Sequence, residues 1–263
     1  MTTGAMALLR AAHAGPALAV TLLALLLAVA ADLGPGRAAL VTVAVLAGQL
    51  SIGWSNDLRD RERDAAVGRT DKPLATGEVS VAVARTACAL AVVLAVALSL
   101  ACGWRAGAVH LLVVTSGWAY NLWFKSTVLS WLPYAVAFGA LPVFVHLAGS
   151  SRAPTEVVVG AAVLGVGAHL LNVVPDLDED AATGVRGLPH RLGARRSTVL
   201  AVVLLVGASV NLLVAGPTGG VPAGIGGALV AGLGGLALVG TGRAPFYSAI
   251  GIALVDVVIL VAR

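Results

Sequence analysis

The chain has 263 residues, of which 59% are hydrophobic and 11% are charged, and its mean hydropathy is +0.95. A soluble domain is about 25% charged because its surface needs polar cover, so this composition excludes a soluble globular fold. The net charge of +4 does not indicate nucleic acid as a partner, because the basic residues lie in short loops beside apolar stretches.

Nine apolar stretches follow one another along the chain, and each is long enough to cross a hydrocarbon core of about 30 Å as a helix. The abundant alanine and the 32 glycines favour closely packed helices over a barrel. We therefore predict an all-α, polytopic membrane bundle that forms a single domain over residues 1–263. The predicted spans cover residues 15–32, 38–56, 79–101, 106–122, 129–148, 155–174, 197–215, 220–239 and 246–262.

The charged residues are distributed unevenly between the two ends of these spans. If the N-terminus is cytoplasmic, 13 of the 17 lysines and arginines lie on the cytoplasmic side, and the exceptions are Arg37, Arg105, Arg152 and Arg263. Cytoplasmic loops carry such an excess, so we predict a cytoplasmic N-terminus and a location in the cell membrane. Ten of the 13 acidic residues follow spans two and six on this same side, and the topology rule does not explain them.

Two segments, residues 56–77 and 172–193, share the pattern N-x3-D-x3-D-x3-G-x4-P-x3-G at a separation of 116 residues. We name them the first and the second polar motif. Four predicted helices separate them, so each of two pseudo-repeated halves presents the same polar segment at the cytoplasmic end of its second helix. Residues four apart share a helix face, and each motif therefore predicts a polar stripe. The stripes consist of Asn56, Asp57, Asp60 and Asp64 in the first motif and Asn172, Asp176 and Asp180 in the second.

The stripes predict a metal site between the two halves. Carboxylates at this spacing repel one another unless a cation neutralises them. Oxygen ligands without His or Cys select a hard cation such as Mg²⁺, which commonly bridges carboxylates to phosphate oxygens. We predict that Mg²⁺ and a diphosphate bind here, with Asp57, Asp60, Asp64, Asp176 and Asp180 as the metal ligands. The basic residues expected to contact the diphosphate are Arg69, Lys72, Lys125, Arg186 and Arg191.

A solvated loop is the alternative interpretation of these charges. It explains neither the helical spacing nor the duplication, and we retain it only for the charges that lie off the stripes: Glu62, Arg63, Asp178 and Glu179. Pro175 is expected to break or kink the sixth span just before Asp176 and thereby to aim the second stripe at the first. Arg243 lies outside both motifs and is expected to take no part in catalysis.

The first polar motif resembles that of the UbiA-type intramembrane prenyltransferases. Residues 56–64 read N-D-L-R-D-R-E-R-D and match the family pattern N-D-x-x-D-x-x-x-D; the family's D-x-x-x-D motif is present at residues 176–180 and its basic-P-L-x-x-G segment at residues 72–77. The resemblance implies a helical bundle with a lateral opening to lipid, in which Mg²⁺ bound by both motifs holds a prenyl diphosphate. It also implies that Lys72 and Lys125 contact the diphosphate.

This sequence departs from the family pattern at one position. Many members have an arginine directly after the second motif's last aspartate, whereas this chain has Ala181. The resemblance therefore implies that one phosphate contact is absent or that Arg186 supplies it.

The apolar part of the predicted site is expected near spans four and five. Cleavage of an allylic diphosphate leaves an allylic cation, which needs an apolar wall without water and is stabilised by aromatic faces. Nine of the 12 aromatic residues lie between residues 104 and 144, and we predict that Trp118, Tyr120 and Phe138 contact the substrate. Trp104, Trp123 and Trp131, near the span ends, are better explained as an interfacial belt.

Two polar residues inside the spans have open roles. His169 lies one turn before Asn172, and it either faces the cavity as a base or an acceptor contact, or is packed and hydrogen-bonded. Asp256, near the middle of the ninth span, marks an inward-facing functional position because an acid is costly in lipid. Its partner cannot be named from the sequence.

The predicted activity is Mg²⁺-dependent transfer of a prenyl group from a prenyl diphosphate to a small, neutral aromatic or lipid-like acceptor. An acidic acceptor would need a buried arginine, and spans one and two contain no internal cation. A membrane terpene cyclase that acts on the same diphosphate is the second hypothesis. A cation-coupled transporter is the third and least favoured, because carriers place their acids near the membrane midplane whereas these lie at span ends.

Overall fold

The computed structural model describes residues 2–215 and 220–262, and within these ranges the regular structure is helical. A π-helical turn at Tyr120–Phe124 follows α5, and a 3-10 turn at Val174–Asp176 joins α7 to α8. The α-helices are α1 (Thr2–Ala11), α2 (Ala14–Ala30), α3 (Pro35–Ala66), α4 (Val81–Ala101), α5 (Trp104–Ala119), α6 (Leu132–Ala148), α7 (Thr155–Val173), α8 (Leu177–Ala182), α9 (Leu188–Leu192), α10 (Ala194–Ala215), α11 (Gly220–Val239) and α12 (Ala244–Val261).

The predicted all-helical fold class is confirmed. Among the described residues, each of the nine predicted spans coincides with one long helix, namely α2 to α7 and α10 to α12. By length and composition, five helices of the described part of the chain can cross a membrane, or six if α1 and α2, which are bent by 69° at their junction, form one span. Nine membrane crossings therefore remain a prediction, and Arg263 lies outside the described residues.

The long helices form a closed ring. Each packs against the next in chain order, and α12 returns to pack against α2. The fully buried side chains inside the bundle include Phe144, Leu170, Leu205 and Ile252. The outer faces carry many exposed aliphatic side chains, as on α4, and lipid is the solvent that such a surface requires.

The two polar motifs end in the same backbone turn. In each motif the first glycine has a left-handed conformation, and the backbone N–H of the next residue donates to the carbonyl group of an aspartate. The bond joins Arg69 to Asp64 at 3.0 Å in the first motif and Val185 to Asp180 at 2.9 Å in the second. A second glycine, nine residues later, is also left-handed, and glycine adopts this conformation without steric cost. The four glycines are Gly68 (φ 71°), Gly77 (φ 77°), Gly184 (φ 82°) and Gly193 (φ 78°).

Close packing at Gly53 fixes the position of the chain segment between α1 and α2. A Cβ atom added at Gly53 would lie 2.0 Å from the carbonyl oxygen of Ala12, so Gly53→Ala must displace backbone. We expect this variant to lose about 1–3 kcal/mol of unfolding free energy, measured as a lower melting temperature in detergent. Gly207→Ala on α10 is the control, because its Cβ meets nothing within 4 Å. Equal melting temperatures for the two variants would contradict the packing described.

Candidate functional site

The first polar motif buries three carboxylates at one end of α3. Asp57, Asp60 and Asp64 are 2%, 7% and 6% exposed. The unbroken helix places them on one face, as the spacing predicts, with Asn56 half-buried beside them. Burying a carboxylate costs free energy unless a charged or hydrogen-bonding group contacts it. The residues that contact these three acids therefore belong to the site.

Two lysines neutralise this cluster. Lys72 Nζ donates to Asp57 Oδ1 at 2.8 Å, and Lys125 Nζ donates to Asp60 Oδ2 at 2.7 Å. One lysine comes from the loop after α3, and the other follows the π-helical turn at Tyr120–Phe124. Both lysines thus lie at the first motif, and their contact with a diphosphate stays a prediction.

His13 joins the cluster although sequence reasoning did not select it. It lies at the junction of α1 and α2 with φ 54°. Its Nε2 atom is 2.8 Å from Asp57 Oδ1, 3.1 Å from Lys72 Nζ and 3.2 Å from Asn56 Nδ2. The signal available in the sequence was a single polar residue between two apolar stretches, and only the packing of α1 on α3 gives it a partner.

The second polar motif is not one continuous α-helical face. The α-helix α7 ends at Val173, and Pro175 lies in the 3-10 turn, so the predicted break is confirmed. Proline ends the helix because it lacks a backbone N–H and its ring collides with the preceding turn. The second stripe is therefore divided among three elements: Asn172 belongs to α7, Asp176 to the turn and Asp180 to α8.

Arg63 bridges the two motifs, which corrects its assignment to a solvated face. Its Nη2 atom is 2.7 Å from Asp60 Oδ2 and 3.8 Å from Asp180 Oδ1, and its side chain is 23% exposed. Its Nε atom lies 4.0 Å from Asp64. His190 Nε2 is 3.7 Å from Asp180 Oδ2 on the other side, and burial lowers the pKa of this histidine. Its contact with Asp60, three residues earlier, follows from helical spacing, whereas its contact with Asp180 depends on the tertiary fold.

Arg69 forms the second bridge between the motifs. It pairs with Asp71 in its own loop at 2.8 Å, with Glu179, and with Asp176 at 3.9 Å. The hydrogen bonds from Arg69 lower the pKa of Asp71 to about 2. Arg243 Nη2 lies 3.6 Å from Asp176, so the expectation that Arg243 stands apart from the motifs is wrong. Its position before α12 brings it there through the tertiary fold.

The other expected cation contacts are not part of this network. Arg186 and Arg191 are exposed, and neither forms an ion pair with a described residue. Asp178 and Glu62 are exposed, as expected for solvated charges. Arg186 therefore stays a predicted diphosphate contact without support from its position.

A polar pocket of about 170 Å³ opens beside this network. Three cations, Arg59, Arg63 and Lys125, line it together with Asp60, and the left-handed turn of the second motif forms its far wall at Thr183–Val185. Its volume is below the roughly 300–1,000 Å³ of a site that encloses a whole organic ligand. The pocket therefore suits a compact anionic group. Arg59 is a further lining residue that sequence reasoning did not select.

The carboxylate groups of these acids are suitable ligands for a hard cation, but lysine and arginine side chains form ion pairs with them here. In the described part of the chain, no group of three or more His, Cys, Asp or Glu side chains is close enough to hold a metal. The donor set is nevertheless all oxygen, as Mg²⁺ prefers, and Asp57 Oδ2 is buried without a hydrogen-bond partner. That oxygen is a buried acceptor of the first motif that pairs with neither lysine.

Aromatic rings pack together on the apolar side of the site. Tyr120 and Tyr134 meet edge to face at 5.1 Å between centroids, and Phe138 stacks on Tyr134 at 6.4 Å. Asn172 Nδ2 lies 3.4 Å from the Tyr134 hydroxyl group. His169 is fully buried against both tyrosines, and its Nε2 atom is 3.0 Å from Ser130 Oγ. These contacts favour the packed, hydrogen-bonded alternative for the histidine.

Trp118 does not share this aromatic cluster, although it was predicted beside Tyr120 and Phe138. Its Nε1 atom donates to Ser51 Oγ at 3.2 Å, and its ring packs against the apolar cluster formed by α1, α3 and α4. The reason is helical geometry, because residues two apart on a helix point to different sides. Tyr134 replaces Trp118 as the third ring of the wall.

A ring of apolar helices with buried acids and bases at one end defines an integral membrane protein. The model of the UbiA prenyltransferase family matches residues 17–244. The chain therefore belongs to the UbiA prenyltransferase family. Comparison with curated proteins gives no match.

Several solved structures share the fold. The apo structure of a UbiA homologue from Aeropyrum pernix K1 has a TM-score of 0.76 at 18% identity, over 90% of this chain and 94% of its own. A UbiA homologue from Archaeoglobus fulgidus bound to GPP and Mg²⁺ has a TM-score of 0.73 at 18% identity, over 97% and 96%. A structure of digeranylgeranylglyceryl phosphate synthase has a TM-score of 0.69 at 17% identity, over 98% and 99%. At these identities the comparison establishes the shared fold.

Proposed function

We propose that this protein is an Mg²⁺-dependent prenyltransferase that ionises a prenyl diphosphate and transfers the prenyl group to a small, neutral aromatic or lipid-like acceptor. The observation that carries the proposal is the segment from Tyr120 to Lys125. Its first residue packs in the aromatic cluster, and its last donates to a buried aspartate of the first motif. One helical turn thus connects Lys125, which stabilises the leaving diphosphate in this proposal, with Tyr120, whose ring stabilises the carbocation.

The polar residues have distinct roles in this proposal. The predicted metal ligands are Asp57, Asp60, Asp64, Asp176 and Asp180. The A. fulgidus homologue structures with GPP or DMAPP and Mg²⁺ support the choice of cation. Bound Mg²⁺ supplies positive charge to the leaving diphosphate. Lys72 and Lys125 donate to diphosphate oxygens and stabilise the charge that develops there. Asn56 lies at His13 beside these groups, and Asn172 lies at Tyr134 on the aromatic side.

The aromatic side excludes water and offers ring faces to the allylic group. Tyr120, Tyr134 and Phe138 form this wall, and Trp118 is left as a packing residue. A neutral acceptor is favoured because Arg63 and Arg69 already pair with aspartates, and Arg59 lines the polar pocket rather than the aromatic cluster. A carboxylate on the acceptor would find no free arginine at the aromatic rings.

The proposed setting is the cell membrane, with the N-terminus and both polar motifs on the cytoplasmic side and residues 1–263 as one domain. The partners are then a prenyl diphosphate, the acceptor and membrane lipid. A transporter is disfavoured by the position of the acids at helix ends.

Diphosphate release tests the proposal. Purified protein in lipid nanodiscs is incubated with radiolabelled prenyl diphosphates of several chain lengths and with a panel of neutral aromatic and lipid-like acceptors, with Mg²⁺ or with EDTA. We expect diphosphate release that requires Mg²⁺, and the mass of the organic product distinguishes transfer to an acceptor from cyclisation. If no chain length yields Mg²⁺-dependent release, the protein is not an enzyme of this class.

A further inference from the structure

Arg63 contacts three of the five predicted metal ligands. Its Nη2 atom lies 2.7 Å from Asp60 Oδ2 and 3.8 Å from Asp180 Oδ1, and its Nε atom lies 4.0 Å from Asp64 Oδ1. Each other basic group of the described network pairs with only one of the five. The three acids come from both polar motifs, two from α3 and one from α8. The guanidinium group therefore lies between acids that the proposed function assigns to the metal.

These contacts involve acceptor atoms that a metal would use. Asp60 Oδ2 accepts hydrogen bonds from both Arg63 and Lys125. The planar guanidinium group presents its donors as a fork, so one side chain can face carboxylates of two motifs. A small divalent cation needs its oxygen ligands close around it, and no three acids of the described ranges are that close together. Arg63 and a metal therefore compete for the same carboxylates.

Arg63 also lines the polar pocket, which offers it a second kind of partner. The charged residues among the described lining are Arg59, Arg63, Lys125 and Asp60, so cations outnumber acids by two. The volume of about 170 Å³ admits several water molecules at roughly 30 Å³ each, and hence a phosphate group. The side chain of Arg63 is 23% exposed, so an anion can reach it, and the guanidinium fork matches phosphate oxygens. Arg63 thus lies between its acidic partners and a site suited to an anion.

We propose that Arg63 is an exchangeable counter-ion. It holds the two polar motifs together while no metal is bound, and it pairs with the diphosphate when the carboxylates hold a metal. This inference rests on the proposed function, because it uses the predicted metal and the predicted diphosphate. Loss of Arg63 removes a competitor of the metal and also removes a donor to the anion. The affinities for metal and for diphosphate therefore depend on this residue in opposite directions, which a purely structural role would not produce.

Binding measurements on Arg63→Met test these opposite effects. Mn²⁺ is the probe, because it prefers the same oxygen ligands as Mg²⁺ and electron paramagnetic resonance counts the unbound ion. In phosphatidylcholine nanodiscs, we expect Arg63→Met to bind Mn²⁺ about ten-fold more tightly than the native protein does. At saturating Mn²⁺, the variant should bind radiolabelled inorganic diphosphate about ten-fold more weakly. Any other combination of changes would overturn the proposal.

Arg61→Met is the matched control, because it removes the same charge from the same helix. Arg61 Nη2 pairs with the exposed Glu62 at 2.9 Å, its side chain is 39% exposed, and it forms no ion pair with a predicted metal ligand among the described residues. Both affinities should stay within about two-fold of the native values, since solvent and salt screen an exposed charge. Equal effects of the two variants would refute the counter-ion role and assign the result to net charge.

Labelling of the native protein tests the exchange even if Arg63→Met does not fold. Phenylglyoxal modifies arginine side chains, and mass spectrometry of the peptides identifies the modified residue. We expect Arg63 to react several-fold faster with Mn²⁺ than with EDTA, and to be protected again when diphosphate is added with Mn²⁺. Arg61 should react equally under all three conditions. A rate at Arg63 that does not depend on Mn²⁺ would overturn the proposal.

Failure of this inference and failure of the proposed function give different results. A native protein that releases diphosphate with Mg²⁺ but labels Arg63 equally with Mn²⁺ and with EDTA would retain the proposed function and reject the counter-ion role. Opposite changes of the two affinities in a protein that releases no diphosphate from any prenyl substrate would retain the counter-ion role and reject the enzyme. A native protein that neither binds Mn²⁺ nor releases diphosphate would reject both.

Discussion

Asp60→Ala and Asp176→Ala are expected to abolish release of diphosphate, with a loss of more than about 100-fold in kcat, or about 2.7 kcal/mol of barrier. Each variant removes a predicted metal ligand. Asp60→Ala also removes the ion-pair partner of Lys125 and Arg63. Asp176→Ala removes the carboxylate next to Arg69 and Arg243. Steady-state kinetics with saturating prenyl diphosphate and Mg²⁺ measure the effect. Circular dichroism should show unchanged helical content.

Asp178→Ala is the matched control for these variants. Asp178 is exposed on α8 within the second motif, so its loss should alter kcat by less than about two-fold. Asp60→Asn preserves the shape of the side chain and separates loss of charge from loss of packing, and it should be as inactive as Asp60→Ala. Activity within about ten-fold of the native protein for Asp60→Ala or Asp176→Ala, a barrier change under about 1.4 kcal/mol, would refute the two-motif metal site.

Lys72→Met and Lys125→Met are expected to lower kcat at saturating prenyl diphosphate by about 10- to 1,000-fold, while the helical content is kept. Methionine retains the aliphatic stem but not the charge, and that charge matters most as the leaving group becomes negative. Both lysines are held against buried aspartates, so the ammonium group is already in place when substrate binds. The split between kcat and KM measures this effect.

Arg195→Met is the control for the lysine variants, because Arg195 is exposed at the start of α10 and forms no ion pair with a described residue. Arg243 would be a poor control because it contacts Asp176. A change confined to KM would show that the lysines bind only the ground state. Equal losses in all three variants would show that general positive potential governs the site.

Local patterns in the sequence predicted the parts of the molecule that depend on neighbouring residues. The apolar runs predicted the helices, the three- and four-residue spacings placed three acids on one face of α3, and Pro175 marked the break after α7. These features follow from backbone geometry within a few turns.

The contacts that the sequence did not reveal join distant segments. Arg63 was assigned to solvent because its position on α3 lies off the stripe, yet α8 carries Asp180 to it. His13 and Arg243 likewise gain their partners from helices far away in the chain. Trp118 was grouped with Tyr120 by composition alone, and the direction of its helix face separates the two. Spacing within one helix contains no information about the helix that packs on it.

The closure of the ring between α2 and α12 has a consequence for biogenesis. These two helices pack together, although more than 200 residues separate them, so this seam forms only after nearly the whole chain has been made. At roughly 5–20 residues per second, α2 waits on the order of 10–50 s for its neighbour. Until then its inner face needs lipid or a membrane chaperone as cover. An apolar pocket that both helices line, with Leu23 on α2 and Asp256 on α12, is consequently among the last parts of the protein to form.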